Sequence, residues 1–160
     1  MKIMKNDNMM DKSEKLFIII SILGLIPFIV GLLDLLINKN NLFFLVNIPK
    51  YYGSIIFTFL GAIYWGAMLN LPPKSLIPEK IQFFIIMWSV VPSIMGITVL
   101  SINNNFSLLM LSMGFLLCQL VDEILKKYLS FPNWYLPLRR ILTLIVVIVL
   151  MCSYFIIQTP

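Results

Sequence analysis

Two adjacent carboxylates, Asp122 and Glu123, are followed four residues later by Lys126 and Lys127, and then by Arg139 and Arg140. On a helix, side chains four apart are neighbours, so the spacing predicts the surface ion pairs Asp122–Lys126 and Glu123–Lys127. Gln119 joins the same polar side. Between the lysines and arginines lies "FPNWYLPLRRILT" (131–143), in which Trp134 and Tyr135 suit a lipid headgroup layer. Thr143, four residues after Arg139, points the same way. Two readings stand. The first is a solvated helix end followed by an interfacial anchor. The second is an ionic site, with a carboxylate facing a cavity and Arg139 either bridging to Asp122 or binding an anionic lipid or substrate group.

The remaining inventory excludes much chemistry. The chain has no histidine, which removes the commonest general base, metal ligand and haem ligand. Catalysis would have to rest on Asp122, Glu123, Tyr135 or Arg139, and no catalytic residue, metal ligand or cofactor is assigned. There is no phosphate loop, nucleophile elbow or zinc pattern. Cys118 and Cys152 fall in apolar stretches, in opposite halves of their helices, and are expected to be buried thiols without a disulfide. The net charge of +5 sits between apolar segments rather than in one patch, so nucleic acid is not the expected partner.

The elements that must position these groups are membrane spans. Of 160 residues, 60% are hydrophobic and 12% charged, with a mean hydropathy of +0.96, about half the charge of a soluble domain. The expected fold is an all-α integral membrane bundle of five transmembrane helices, at about 16–37, 51–71, 79–102, 106–127 and 138–157. Each has the ~20 residues that cross ~30 Å of hydrocarbon. Pro72 and Pro73 stop the second helix, Pro78 suits a first turn, and Asn105 or Ser107 caps the fourth. Pro27 and Pro92 kink their helices, Gly24, Gly31 and Gly96 are contact points, and Asp34 reaches toward headgroups. Segment 38–50 is expected to lie in the outer interface.

Lysine and arginine set the orientation. With the N-terminus inside, ten basic residues fall in inner segments and only Lys39 and Lys50 in outer ones. The expected topology is therefore N-inside and C-outside, with residues 1–15 as a cytoplasmic tail and 16–160 as a single transmembrane domain. The first apolar run is too long for a signal-peptide core and no small-residue cleavage site follows, so it reads as a retained anchor; a tail rich in lysine, lacking arginine and containing acidic residues is unlike a mitochondrial transit peptide. A bacterial-type inner membrane is the expected location.

The second helix carries "FTFLGAIYWGAML" (57–69). Ser54, Thr58, Ala62 and Gly66 form one i, i+4 row, extended by Asn70 and flanked by Gly61, while Ile56, Leu60, Ile63 and Tyr64 make a bulky side. Small residues let membrane helices approach closely, so Ser54, Thr58, Gly61 and Ala62 are expected helix-packing positions. Trp65 is expected to cover Gly61 and face the bundle. Trp65, Gly66 and Asn70 form either a packing knob or a pocket wall.

Four stretches together, "LGLIPF" (23–28), "YYGSIIFTFLGAIYWGAML" (51–69), "LLCQLVDEILKKY" (116–128) and "FPNWYLPLRRILTL" (131–144), resemble a small five-span family. It is the family of domain of unknown function 3429, which includes transmembrane protein 69. The resemblance matches Pro27, Gly61, Trp65, Gly66, Asp122, Trp134, Tyr135, Arg139 and Thr143 to family motif positions. It implies two adjacent glycines where this chain has Gly61-Ala62, and a basic residue where it has Tyr64. It implies an architecture and no activity.

The function expected is that of a non-enzymatic binding, accessory or assembly factor in the membrane, with a lipid, ligand or partner site near the cytoplasmic side. The candidates are Trp65, Gly66, Asn70, Asp122, Trp134, Tyr135, Arg139 and Thr143. The bilayer is one partner; an anionic lipid, a small ligand or a membrane protein are the others considered, and the oligomeric state is open. A small-solute transporter or channel, and a membrane-embedded enzyme, are the alternatives.

Overall fold

The computed structural model describes residues 12–37, 43–71 and 77–158, and contains only helices and short connections among them. Six helices follow one another: α1 (Lys12–Leu23), α2 (Ile26–Ile37), α3 (Phe43–Leu69), α4 (Glu79–Ser101), α5 (Phe106–Leu125) and α6 (Tyr135–Gln158). The first two count as one span, so five segments are long and apolar enough to cross a membrane. The expected stop at Pro72 and Pro73, the tail up to residue 11 and positions 38–42 of the interfacial segment lie outside the described residues.

Proline explains the α1–α2 break. Pro27 has no N–H to give the Leu23 carbonyl, and its ring crowds that carbonyl. The chain tightens instead, with Leu25 N–H donating to Ile22 O at 3.0 Å, and helix geometry resumes with Ile29 N–H to Leu25 O at 3.1 Å. Three other prolines fall inside helices, one of them Pro92 in the middle of α4. Pro137 is the third residue of α6, where a missing donor costs nothing. Pro49 lies in α3, which begins at Phe43 rather than at the expected 51. Residues 43–50 are therefore helical rather than a separate interfacial segment. Lys50 is 7% exposed, and its Nζ donates to the Ile102 carbonyl, 2.5 Å away. A cation at the C-terminal end of α4 satisfies an orphan carbonyl and complements the helix dipole.

α3 packs on α2, α4 and α5, while α6 packs on α5 and α2. The α3–α4 contact is close because each helix offers a glycine. A Cβ on Gly61 would stand 2.4 Å from the Ser89 carbonyl, and one on Gly96 would stand 2.8 Å from Thr58 Oγ1. The main core interleaves Phe28, Phe57 and Phe115, with Phe57 and Phe115 meeting edge to face at 5.5 Å. A second, smaller core gathers Tyr64, Ile77, Ile85, Val121, Leu125 and Leu129 at the end where α3 and α5 finish and α4 and α6 begin.

Several local expectations are corrected. Asn105 makes no side-chain cap; Asn104 Oδ1 instead accepts the Phe106 N–H at 3.0 Å, because the turn enters the helix one residue earlier. Asp34 is 7% exposed, turned into the bundle rather than toward headgroups. Cys118 is buried, but Cys152 is exposed on the outer side of α6, and both are free thiols.

Candidate functional site

The smaller core closes around one carboxylate. Asp122 lies in the last turn of α5 and is 2% exposed. Its Oδ2 accepts a hydrogen bond from Arg139 Nε at 3.0 Å. Its Oδ1 accepts one from the Tyr64 hydroxyl. Arg139 comes from the second turn of α6 and Tyr64 from the last two turns of α3, so three helices meet at this group. Tyr64 and Arg139 are themselves buried. Cys118, one turn before Asp122, is fully buried beneath it. The α5–α6 turn makes this geometry available: it brings the start of α6 back beside the end of α5, so residues 17 apart in sequence face each other.

The neighbouring carboxylate has a different setting. Glu123 accepts from Arg140 through Nε at 2.5 Å and Nη2 at 2.9 Å, and from Lys126 at 3.1 Å. Gln119 donates to the same carboxylate at 3.2 Å and accepts weakly from Thr143 Oγ1 at 3.4 Å. The expected Asp122–Lys126 and Glu123–Lys127 pairs are replaced by Asp122–Arg139 and Glu123–Lys126. Asp122 points into the bundle, out of reach of a surface lysine, while Lys127 rests over the Tyr128 ring at 4.9 Å.

The family model for "Protein of unknown function (DUF3429)" matches residues 13–155. The chain belongs to the DUF3429 family. No curated protein and no solved structure matches it.

Within this DUF3429 chain, the sequence candidates separate into two places. Asp122 and Arg139 join directly, with Thr143 on the adjoining Gln119. Trp134 and Tyr135 lie beside them, Trp134 stacked on Phe17 of α1 at 6.2 Å and Tyr135 on Phe131 at 5.0 Å. The Trp134 indole N–H is buried without a hydrogen-bond partner among the described residues. Trp65, Gly66 and Asn70 do not reach this site. Trp65 is 52% exposed and borders a shallow groove between α3 and α4 with Thr58, Phe59, Ala62, Ser89 and Ser93. The space over Gly61 that the indole was expected to fill is occupied by the α4 backbone at Ser89 and by Pro92. Gly66 has open space where a Cβ would sit, and Asn70 turns back to the Gly66 carbonyl at 3.0 Å. Of the packing row, Ser54 and Gly61 are buried against α4, while Ala62 is exposed in the groove.

Tyr64 is the residue that sequence reasoning passed over. It stood on the bulky side of its helix, yet a buried phenol needs a partner for its hydroxyl, and that requirement was the available signal. The family resemblance implies a basic residue here; in this chain the donor to Asp122 is a hydroxyl instead.

Chemically, the arrangement is a clamp. Both Asp122 oxygens are engaged by protein donors. No three potential metal ligands converge among the described residues.

Proposed function

We infer that this chain is a multi-pass, non-enzymatic binding or accessory protein, threaded N-inside in a bacterial-type cytoplasmic membrane. Its partner-facing chemistry lies at the Asp122 end, on the cytoplasmic side. The observation that carries this reading is the closure of Asp122 by Arg139 and Tyr64. A coupled carrier exposes ionisable groups to a pathway at membrane depth. Here the buried carboxylate near the helix ends is spent on tying α3, α5 and α6 together. The charged groups left accessible at that end include Lys126, Lys127, Glu123 and Arg140, which suit recognition at a surface. The distribution of basic residues supports placing that surface inside.

Reconstitution tests the reading. The purified chain in lipid vesicles is expected to give no ion or solute flux above protein-free vesicles. It is also expected to retain a lipid, small ligand or protein at fixed stoichiometry. Flux that disappears with Asp122→Asn would overturn it.

A further inference from the structure

The turn that carries α5 into α6 forms a cleft of about 570 Å³, with Lys126, Lys127, Ser130, Asn133 and Arg140 in its lining. That volume is within the ~300–1,000 Å³ typical of small-ligand sites. Its charge is unbalanced. Lys126 and Arg140 share the single carboxylate of Glu123, and Lys127 has no carboxylate partner among the described residues. Three cations against one anion leave an excess of two positive charges. Arg140 commits two of the five N–H donors of a guanidinium to Glu123, so three remain. The Ser130 hydroxyl and Asn133 amide add neutral donors to the wall. The cleft lies where two apolar spans end, next to Trp134 and Tyr135, residue types that favour the headgroup layer. A phosphate offers several acceptor oxygens to guanidinium and ammonium donors, which matches this set.

We propose that this cleft binds an anionic phosphate group at the bilayer surface, through Lys127 and the spare donors of Arg140, with Lys126, Ser130 and Asn133 around it. Glu123 acts as a resident competitor, holding Lys126 and two donors of Arg140 and so lowering the affinity. The proposal rests on the binding-protein reading above and names the class of occupant and its place. An anionic phospholipid headgroup and a free phosphate share this chemistry.

Two arms separate them. The full chain is placed in phosphatidylcholine nanodiscs containing a minor fraction of phosphatidylglycerol, and retained lipids are counted by native mass spectrometry. In parallel, discs of phosphatidylcholine alone are titrated with inorganic phosphate, followed by phosphorus NMR line width. Phosphatidylglycerol is expected to be retained in preference to phosphatidylcholine, about fivefold more weakly in Lys127→Gln. Glu123→Gln is expected to retain it more strongly, a gain that misfolding does not produce. Lys80→Gln, which removes an exposed lysine at the start of α4, is expected to change nothing. This pattern in the lipid arm assigns a headgroup; the same Lys127 dependence in the phosphate arm alone assigns a free phosphate. The proposal is overturned if neither arm responds to Lys127→Gln and Glu123→Gln, even where some other ligand is retained, in which case the broader reading survives. Asp122-dependent flux would instead remove the broader reading.

Discussion

Asp122–Arg139 and Glu123–Arg140 join the same two helices, one position apart, each across 17 residues of sequence. Their side chains nevertheless differ in exposure: 2% and 10% for the first pair, 28% and 54% for the second. One residue along a helix is a rotation of 100°, enough to turn one carboxylate into the bundle and leave the next at its surface. The buried pair recruits a third helix through Tyr64, whereas the exposed pair recruits neighbours in sequence, Lys126 and Gln119. Charge type is identical in the two pairs, so burial decides which is architectural and which is adjustable.

Breaking the buried pair from one side has the largest expected effect. Arg139→Met strands Asp122 without its counter-charge, and loss of one partner from a buried ion pair costs ~3–5 kcal/mol. Thermal unfolding of the purified chain in detergent measures this. The Asp122→Asn, Arg139→Met double variant is expected to recover much of that loss, because no unpaired charge remains and the Asn amide oxygen still accepts from Tyr64. If the double variant is as unstable as the single, the pair is not acting as a unit.

Removing the third helix from the junction comes next. Tyr64→Phe deletes a hydrogen bond to a charged group, an expected loss of ~1.5–3 kcal/mol in the same assay. Two of the three glycines of α3, Gly61 and Gly66, repeat the contrast as a crowded and an open site. Gly61→Ala drives a Cβ into the Ser89 carbonyl and is expected to cost ~1–3 kcal/mol by overpacking. Gly66→Ala meets nothing within 4 Å and is expected to be neutral or slightly stabilising, since alanine favours a helix. Equal losses at both positions would show that the α3–α4 approach is looser than the structure has it. The smallest effect belongs to the exposed pair: Glu123→Gln is expected to leave the unfolding midpoint within experimental scatter, even as it strengthens retention of anionic lipid.

Trp65 and Tyr64 illustrate how far helical periodicity reaches. Both stand in the same stretch, and the pattern correctly distinguishes their faces. It assigns the inward face to the conspicuous tryptophan, because indole beside glycine looks like a packing device. The neighbouring helix reverses the assignment: α4 fills the surface over Gly61, Trp65 falls outside the contact, and Tyr64 turns toward α5. Asp122 shows the same limit. Its spacing to Lys126 was visible, but a pair between helices depends on which azimuth of α5 meets α6, and four-residue spacing carries no such information.

Composition and hydrophobic length determined by themselves that the chain forms five segments long and apolar enough to cross a membrane, since a bilayer core calls for long, continuous apolar helices whatever their neighbours. Proline positions likewise marked the disturbance of the first span at Pro27 and the start of α4 at Pro78, because a missing donor and a steric clash act locally. Only the tertiary structure decided that Asp122 is buried and Glu123 exposed, that Tyr64 rather than Trp65 enters the polar core, and that Lys50 closes the end of α4. Each depends on the rotation and register of one helix against another. Those are settled by side-chain packing between segments distant in sequence, for which a single helix carries no local signal.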